Sequence, residues 1–228
     1  MCGRFTLTAP DELVAEAFGL DEPPKLSARY NIAPAQSVAV VRKRASARPQ
    51  LDLARWGFPA QVGTEPPAES PPALMINARS ETAASKPSFR EAFARRRCLV
   101  PADGFYEWRR GRREAFHFRL RDRPLFAFAG LWEPGAPEWT TDACLLLTTD
   151  ANRLVAGIHD RMPVILPPAA YDLWLDTAHA DVRRLRELLR PYSDEAMEAR
   201  PVGPFVNDAR HEGPRCLEAP RQASLFEE

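Results

Sequence analysis

The chain is expected to fold as a single α+β domain, with a mixed or antiparallel, barrel-like β-sheet core and helices at its periphery. Three observations lead there. At least six strand-like runs are present, including Ser37 to Val41, Leu51 to Trp56, Cys98 to Pro101, Gly104 to Trp108, Leu125 to Leu131 and Cys144 to Thr149. The helical segments are short and amphipathic, with charged outer faces, and no internal repeat is visible. A length of 228 residues with ordinary apolar content suits one sizeable core.

The elements follow in order. After strand-like Arg4 to Leu7, Thr8 can cap a short helix with Pro10 in its first turn, Asp11 and Glu12 near its N-terminus and Gly19 as its stop. Leu13, Ala17 and Phe18 form the expected buried stripe. Tyr30 to Pro34 reads as a rigid loop, because Pro34 forces Ala33 to be extended. The strands Ser37 to Val41 and Leu51 to Trp56 are joined by a basic turn, Arg42 to Arg48. From Gly57 to Ala73 proline, glycine and small residues predict a long exposed loop, a kind of segment that is often functional.

The apolar stretch Leu74 to Ala78 carries Asn77, and helices are expected over Arg79 to Ser85 and Ser88 to Arg96. Arg95, Arg96 and Arg97 read as a solvated helix end. A turn at Ala102-Asp103 separates Cys98 to Pro101 from Gly104 to Trp108, and a polar hairpin leads into Ala115 to Leu120. Asp150 is the expected cap of a helix running through Val155. The polar stretch Gly157 to Pro163 interrupts the chain before Val164 to Leu166, and Tyr171 to Leu175 and Asp181 to Leu189 complete the helices.

Composition narrows the function. Basic and acidic residues number 31 each, so no global field draws in nucleic acid or an anionic membrane, and any DNA binding must use a local groove. No run approaches the roughly 20 apolar residues of a membrane span, and no signal-peptide h-region is present, so a cytoplasmic protein is expected. The cysteines at 2, 98, 144 and 216 show no C-x-x-C spacing and no short Cys/His cluster, which signals neither a metal site nor a disulfide framework. Cys98 and Cys144 read as packing residues.

Cys2 is different. Removal of Met1 would leave a free α-amine beside a thiol, and that amine, with a reference pKa of about 7.7 to 8.0, is partly neutral at physiological pH. A 1,2-aminothiol condenses with aldehydes to an imine and then closes a thiazolidine. Such chemistry needs a group that accepts and then returns a proton, and Glu107, on the apolar strand Gly104 to Trp108, is the best candidate. His159, between two strand-like runs and flanked by Asp160 and Arg161, is the second. His117, His179 and His211 read as structural or surface residues. Asn77 offers an amide beside Arg79, whose fork can grip a phosphate.

MCGRFT at the start, RYNIAP from Arg29, INARSET from Ile76, GFYEW from Gly104 and GIHDRMPVIL from Gly157 together resemble the SRAP family, the SOS-response-associated peptidases. The resemblance spans about residues 1 to 215 and implies capture of abasic sites in single-stranded DNA as a covalent thiazolidine, with no cofactor. It implies Cys2 as nucleophile, Glu107 as acid and base, His159 in sugar opening and crosslink reversal, and Asn77 in positioning the cysteine and the sugar. Arg4, Pro34, Arg79, Thr148 and Arg161 fall where the DNA groove would be lined. Family members are expected to carry further tryptophans after Trp56-Gly57; here Phe58 either takes that wedging role or the preference for a strand junction is weakened.

The expected organisation is a domain over residues 1–217 and a disordered tail over 218–228, acting as a monomer that meets the nucleoid when engaged on DNA. The tail contains Gln222, Leu225 and Phe226 in a pattern resembling the Q-x-x-L-F peptide that docks on the bacterial sliding clamp. Two enzymatic alternatives stand beside this reading: a glutamine amidotransferase of the N-terminal nucleophile class, and a thiol autopeptidase that removes Met1. The amidotransferase class more usually places small apolar residues where Arg4 and Phe5 stand.

Overall fold

The computed structural model describes residues 2–43, 48–59, 74–135, 140–178 and 181–220. In chain order the elements are β1 (Phe5–Leu7), α1 (Asp11–Phe18), β2 (Arg29–Ile32), β3 (Ser37–Arg42), β4 (Gln50–Trp56), β5 (Phe58–Pro59), β6 (Leu74–Met75) and β7 (Asn77–Arg79). They continue with α2 (Ser80–Ala83), α3 (Arg90–Arg95), β8 (Arg97–Ala102), β9 (Gly104–Trp108), β10 (Ala115–Leu120), β11 (Phe126–Glu133) and β12 (Ala143–Asp150). The last are α4 (Arg153–Ala156), β13 (Arg161–Pro163), β14 (Ile165–Leu166), α5 (Tyr171–Leu175), α6 (Val182–Leu188) and β15 (Met197–Val202).

The expected α+β architecture is present. β12, β4, β3, β8 and β11 pair in that order, and β11 pairs back onto β12, which closes the sheet into a barrel and removes its free edges. β12 is long enough to serve several partners: β11 and β13 antiparallel, β4 and β7 parallel. A second, wholly antiparallel sheet runs β15-β10-β9-β1-β2. The chain passes from barrel to sheet between β8 and β9 at Asp103, whose carboxylate accepts bonds from the Thr6 hydroxyl and, at 2.7 Å, the Thr8 hydroxyl. Aromatic rings join the two layers: Phe5 of the sheet lies 5.2 Å from Trp56 and 5.7 Å from Phe128 of the barrel, in edge-to-face contacts.

Several local expectations are corrected by tertiary partners. Thr8 does not cap α1, because its hydroxyl and amide are held by Asp103, and Pro10 occupies the cap position. Gly19 does stop that helix, in the left-handed conformation at φ 63°. The buried residues of α1 are Val14, Ala15 and Phe18, while Ala17 faces solvent and Leu13 is half-buried. Tyr30 to Ile32 is strand rather than loop, because it pairs with β1. Arg42 belongs to β3 and is buried, gripped by Asp52 at 2.6 Å and Asp142 at 2.5 Å.

Arg97 is likewise not at a solvated end. Its guanidinium is buried and donates to the carbonyls of Trp174, Phe93, Ala94 and Asp176. Asn152, not Asp150, caps α4, with Oδ1 accepting from Val155 N at 2.9 Å. β15 has no counterpart in the sequence reading. Cys98 and Cys144 are buried packing residues as expected, and burial pushes the Cys98 thiol up to about 12. No helix among the described residues is long and apolar enough to cross a membrane. The tail residues Gln222, Leu225 and Phe226, His179 and the loop from 60 to 73 lie outside the described residues.

Candidate functional site

From Cys2 onward the chain is anchored rather than frayed. Phe5 is almost fully buried against Trp56 and Phe128, and β1 is flanked by β2 and β9, so Cys2 is carried into the interior with 0 % exposure. Pairing of β1 with β9 matches Phe5 to Phe105, and Tyr106 N donates to Arg4 O at 3.0 Å. Strand alternation then turns Glu107, like Phe105, toward the barrel side, where it is 3 % exposed. Asn77 arrives from β7, held parallel to β12 with Asn77 opposite Leu146, and its amide Nδ2 donates to Cys2 O at 2.8 Å. The Asn77 Oδ1 is buried and accepts no hydrogen bond among the described residues.

Burial sets the electrostatics. Desolvation raises the Glu107 carboxyl to about 7, opposed by the positive α-amino end of the chain and assisted by the negative charge of Asp160. The Cys2 thiol is pushed far up, first by burial and then by the Glu107 charge. His159 is lowered, mainly by burial and next by the α-amino end. One amino end thus acts on both Glu107 and His159. His159 Nδ1 is surrounded by the Arg161 backbone and Asp160: Arg161 N lies 3.0 Å away, and Arg161 O and Asp160 Oδ1 each lie 3.2 Å away.

The residues expected to line a DNA groove divide into two kinds. Arg4 donates to Asn31 Oδ1 at 2.6 Å and Val206 O at 2.8 Å, with its guanidinium 5.5 Å from the Trp108 ring. Arg161 bonds Glu81, Asp150 and the Thr148 carbonyl, and only 13 % of its side chain is exposed. Both arginines therefore brace the fold around the site. Thr148 is buried on β12, its hydroxyl 3.5 Å from Ala78 O. Pro34 lies half-buried in the turn after β2. Arg79, by contrast, is exposed and has no carboxylate within ion-pair distance among the described residues.

Beside Asn77 opens a groove of about 720 Å³, whose lining includes Met75, Asn77, Arg79, Thr82, Lys86 and Phe89. Lys86 had no signal in the sequence beyond its charge, since nothing local tells that α2 folds back to place it near Asn77. Phe58, the candidate wedge, is 3 % exposed and paired with Met75, so it does not project into solvent. Among the described residues no group of three or more His, Cys, Asp or Glu could hold a metal ion.

A family model described as SOS response associated peptidase (SRAP) matches residues 1–209. The chain belongs to the SRAP family. Among its relatives is the abasic site processing protein YoqW of Bacillus subtilis strain 168, 37% identical over 230 residues that cover 96% of this chain and 100% of YoqW. The abasic site processing protein YedK of Escherichia coli strain K12 is 32% identical over 184 residues, covering 77% of this chain and 79% of YedK. A crystal structure of a protein from Bacteroides thetaiotaomicron shares the SRAP fold seen here, with a TM-score of 0.79 at 23% identity over 96% of this chain and 99% of that one.

Proposed function

We propose that this SRAP chain processes abasic sites in single-stranded DNA by forming a covalent thiazolidine through Cys2 once Met1 is removed. The observation that carries the reading is the convergence of the buried Cys2 with the Asn77 amide and with a Glu107 carboxyl raised to about 7. The names of the relatives, abasic site processing proteins, support the substrate. Lyase-like classification of the adduct chemistry and release of Met1 by the chain itself belong to the same reading.

The ring-opened abasic sugar presents an aldehyde. The Cys2 amine attacks its carbon, and the resulting carbinolamine loses its hydroxyl as water when Glu107 donates a proton, leaving an iminium. The Cys2 sulfur then bonds to the same carbon as its S–H proton passes to the Glu107 carboxylate. One water is released, no redox change occurs, and Glu107 ends as it began. A carboxyl near 7 is divided between both forms at neutral pH, which suits donation and acceptance alike. His159, held neutral at neutral pH by the burial that lowers its pKa, assists sugar opening and adduct reversal, and Asn77 holds the cysteine backbone.

Intact protein mixed with single-stranded DNA bearing an abasic site should give an adduct that resists denaturant, and a mass spectrum should show the loss of Met1 and one water per adduct. Unchanged adduct yield with Cys2→Ala, or with an acetylated α-amine, would refute the mechanism. We propose in addition that Gln222, Leu225 and Phe226 dock the tail on the sliding clamp. Clamp pull-down should then be lost in the Leu225→Ala, Phe226→Ala double variant, and equal retention would dispose of that contact.

A further inference from the structure

We propose that Asn31 is a positioning residue for the second bond of the reaction, aiming the Cys2 sulfur through Arg4 and tying both to the loop from Gly203 to Leu217. The inference rests on the function proposed above and gives that loop a part in it.

A buried amide whose oxygen and nitrogen are both engaged carries it. Asn31 of β2 is 0 % exposed. Its Oδ1 accepts from Arg4 Nη1 at 2.6 Å, and its Nδ2 donates to His211 O at 2.8 Å and Asp208 O at 2.9 Å, with Val206 O at a longer 3.4 Å. The reverse orientation of the amide would set its NH2 against a guanidinium and its oxygen against three carbonyls, so the network fixes which end faces which. All three carbonyls belong to one loop, closed at its base where Gly203 N donates to Glu218 O at 2.8 Å. Asn31 thus fills the centre of that loop and supplies donors to its inward carbonyls.

Arg4 transmits the hold. Its Nη1 donates to Asn31 Oδ1 and, at 2.8 Å, to Val206 O, which fixes the guanidinium to strand and loop at once. At the other end of the residue, Arg4 O accepts from Tyr106 N at 3.0 Å, and Cys2 Sγ lies 4.0 Å from the same oxygen, within reach of a sulfur hydrogen bond. Arg4 is therefore pinned at side chain and backbone, and its carbonyl is the acceptor for the Cys2 thiol. The Cys2 carbonyl is held separately, by Asn77 of β7. Two supports thus divide the work: Asn77 places the residue and Arg4 aims its sulfur. Attack by the amine needs the first. Ring closure, in which the sulfur bonds to the iminium carbon and its proton passes to Glu107, needs the second as well, because it depends on where the sulfur points.

The test uses the full chain with Met1 removed, single-stranded DNA bearing an abasic site, and cyanoborohydride, a hydride donor that reduces the iminium before the ring closes. The trapped adduct is a secondary amine with a free Cys2 thiol. It is two hydrogens heavier than the thiazolidine adduct and takes one more alkyl group from iodoacetamide, so mass spectrometry separates the two. This ratio is read within adduct already formed and does not depend on how tightly DNA binds. At short reaction times the wild type should give mainly the ring-closed adduct. A misplacement of about 1 Å costs a reaction about 100-fold, so Asn31→Ala should slow closure by that order and give mainly the trapped amine, while total capture of the aldehyde keeps its wild-type rate. Arg4→Met should do the same, and the double variant no more than either. Asn207→Ala removes different ties of the same loop, the bonds to Trp108 Nε1 at 2.7 Å and Arg113 O at 3.3 Å, and should lower the urea midpoint without changing the product ratio. Should Asn31→Ala fail to fold, Arg4→Met decides. A wild-type ratio in folded Asn31→Ala or in Arg4→Met, or a shifted ratio in Asn207→Ala, would overturn the assignment. Absence of any adduct in the wild type would overturn the proposed reaction instead.

Discussion

Glu107→Gln separates the cost of a buried carboxylate from its use. The carboxyl is 3 % exposed, and burial raises it from an ordinary 4.5 to about 7. A shift of that size corresponds to about 3 kcal/mol of differential interaction, at about 1.36 kcal/mol for each unit. Below about pH 4 the group is protonated in folded and unfolded chains alike, and glutamine is nearly its equal. As pH rises through 4.5 the unfolded chain ionises first, so wild-type stability falls progressively until the folded group ionises near 7, and is flat above that. Glutamine does not titrate. The variant should thus gain on wild type between about pH 4.5 and 7 and hold a lead of about 3 kcal/mol at pH 8, or roughly 6 to 12 °C in Tm for a chain of this size. Thermal unfolding followed by circular dichroism across that range measures it, with adduct rates on abasic single-stranded DNA recorded in parallel. The stabilised variant should form adduct more slowly. A Tm difference that does not vary with pH would show that Glu107 is not desolvated and would remove the premise of its acid and base role.

Three further expectations concern the frame around the site. Arg97→Ala should destabilise the fold by at least about 3 kcal/mol in urea unfolding, because four carbonyls lose a buried donor; Arg97→Lys should rescue little, since one ammonium cannot reach them all. Gly104→Ala should cost about 3 kcal/mol, since a Cβ there would lie 2.0 Å from His117 Nε2 and 3.0 Å from Phe118 O; adding His117→Ala should recover part of the loss in a double-mutant cycle. Asn152→Ala should cost at least about 1 kcal/mol, through loss of the α4 cap and of the Nδ2 bond to Tyr192 O, read as a shift in the urea midpoint at constant slope.

What the sequence disclosed depended on how local the cause was. Strand alternation and turn residues located β3, β4, β8, β9 and β10 to within a residue or two, and Gly19 marked the end of α1, because those signals act over a few neighbours. Arg97 was misplaced since its partners, Trp174 O and Asp176 O, lie more than seventy residues away. Thr8 and Asp150 looked like caps by spacing, yet Asp103 recruits the first and Asn152 displaces the second. β15 was invisible because Met197 to Val202 contains Glu198, Ala199 and Pro201, poor strand formers that are tolerated at the edge of the five-stranded sheet. At the site, residue types proposed Cys2, Asn77, Glu107 and His159, but only the fold distinguishes Arg79, which faces solvent, from Arg4 and Arg161, which are braced inward.

Burial also dictates an order of events on the proposed reaction path. The Cys2 thiol, pushed up by desolvation and by the charge of Glu107, remains protonated at neutral pH and is a poor first nucleophile. The amine therefore reacts first. Loss of water from the carbinolamine creates a positive iminium next to the sulfur, and that charge, in the same poorly solvated space, lowers the barrier to releasing the thiol proton just as Glu107, having given up its own, becomes able to take it. An exposed N-terminal cysteine would lack this sequence, because water would screen the iminium and leave it open to hydrolysis before the sulfur closed the ring. On the proposed path, the anchoring of β1 between β2 and β9, with Phe5 wedged against Trp56 and Phe128, would be part of the chemistry, holding the reacting end of the chain where the first bond formed prepares the second.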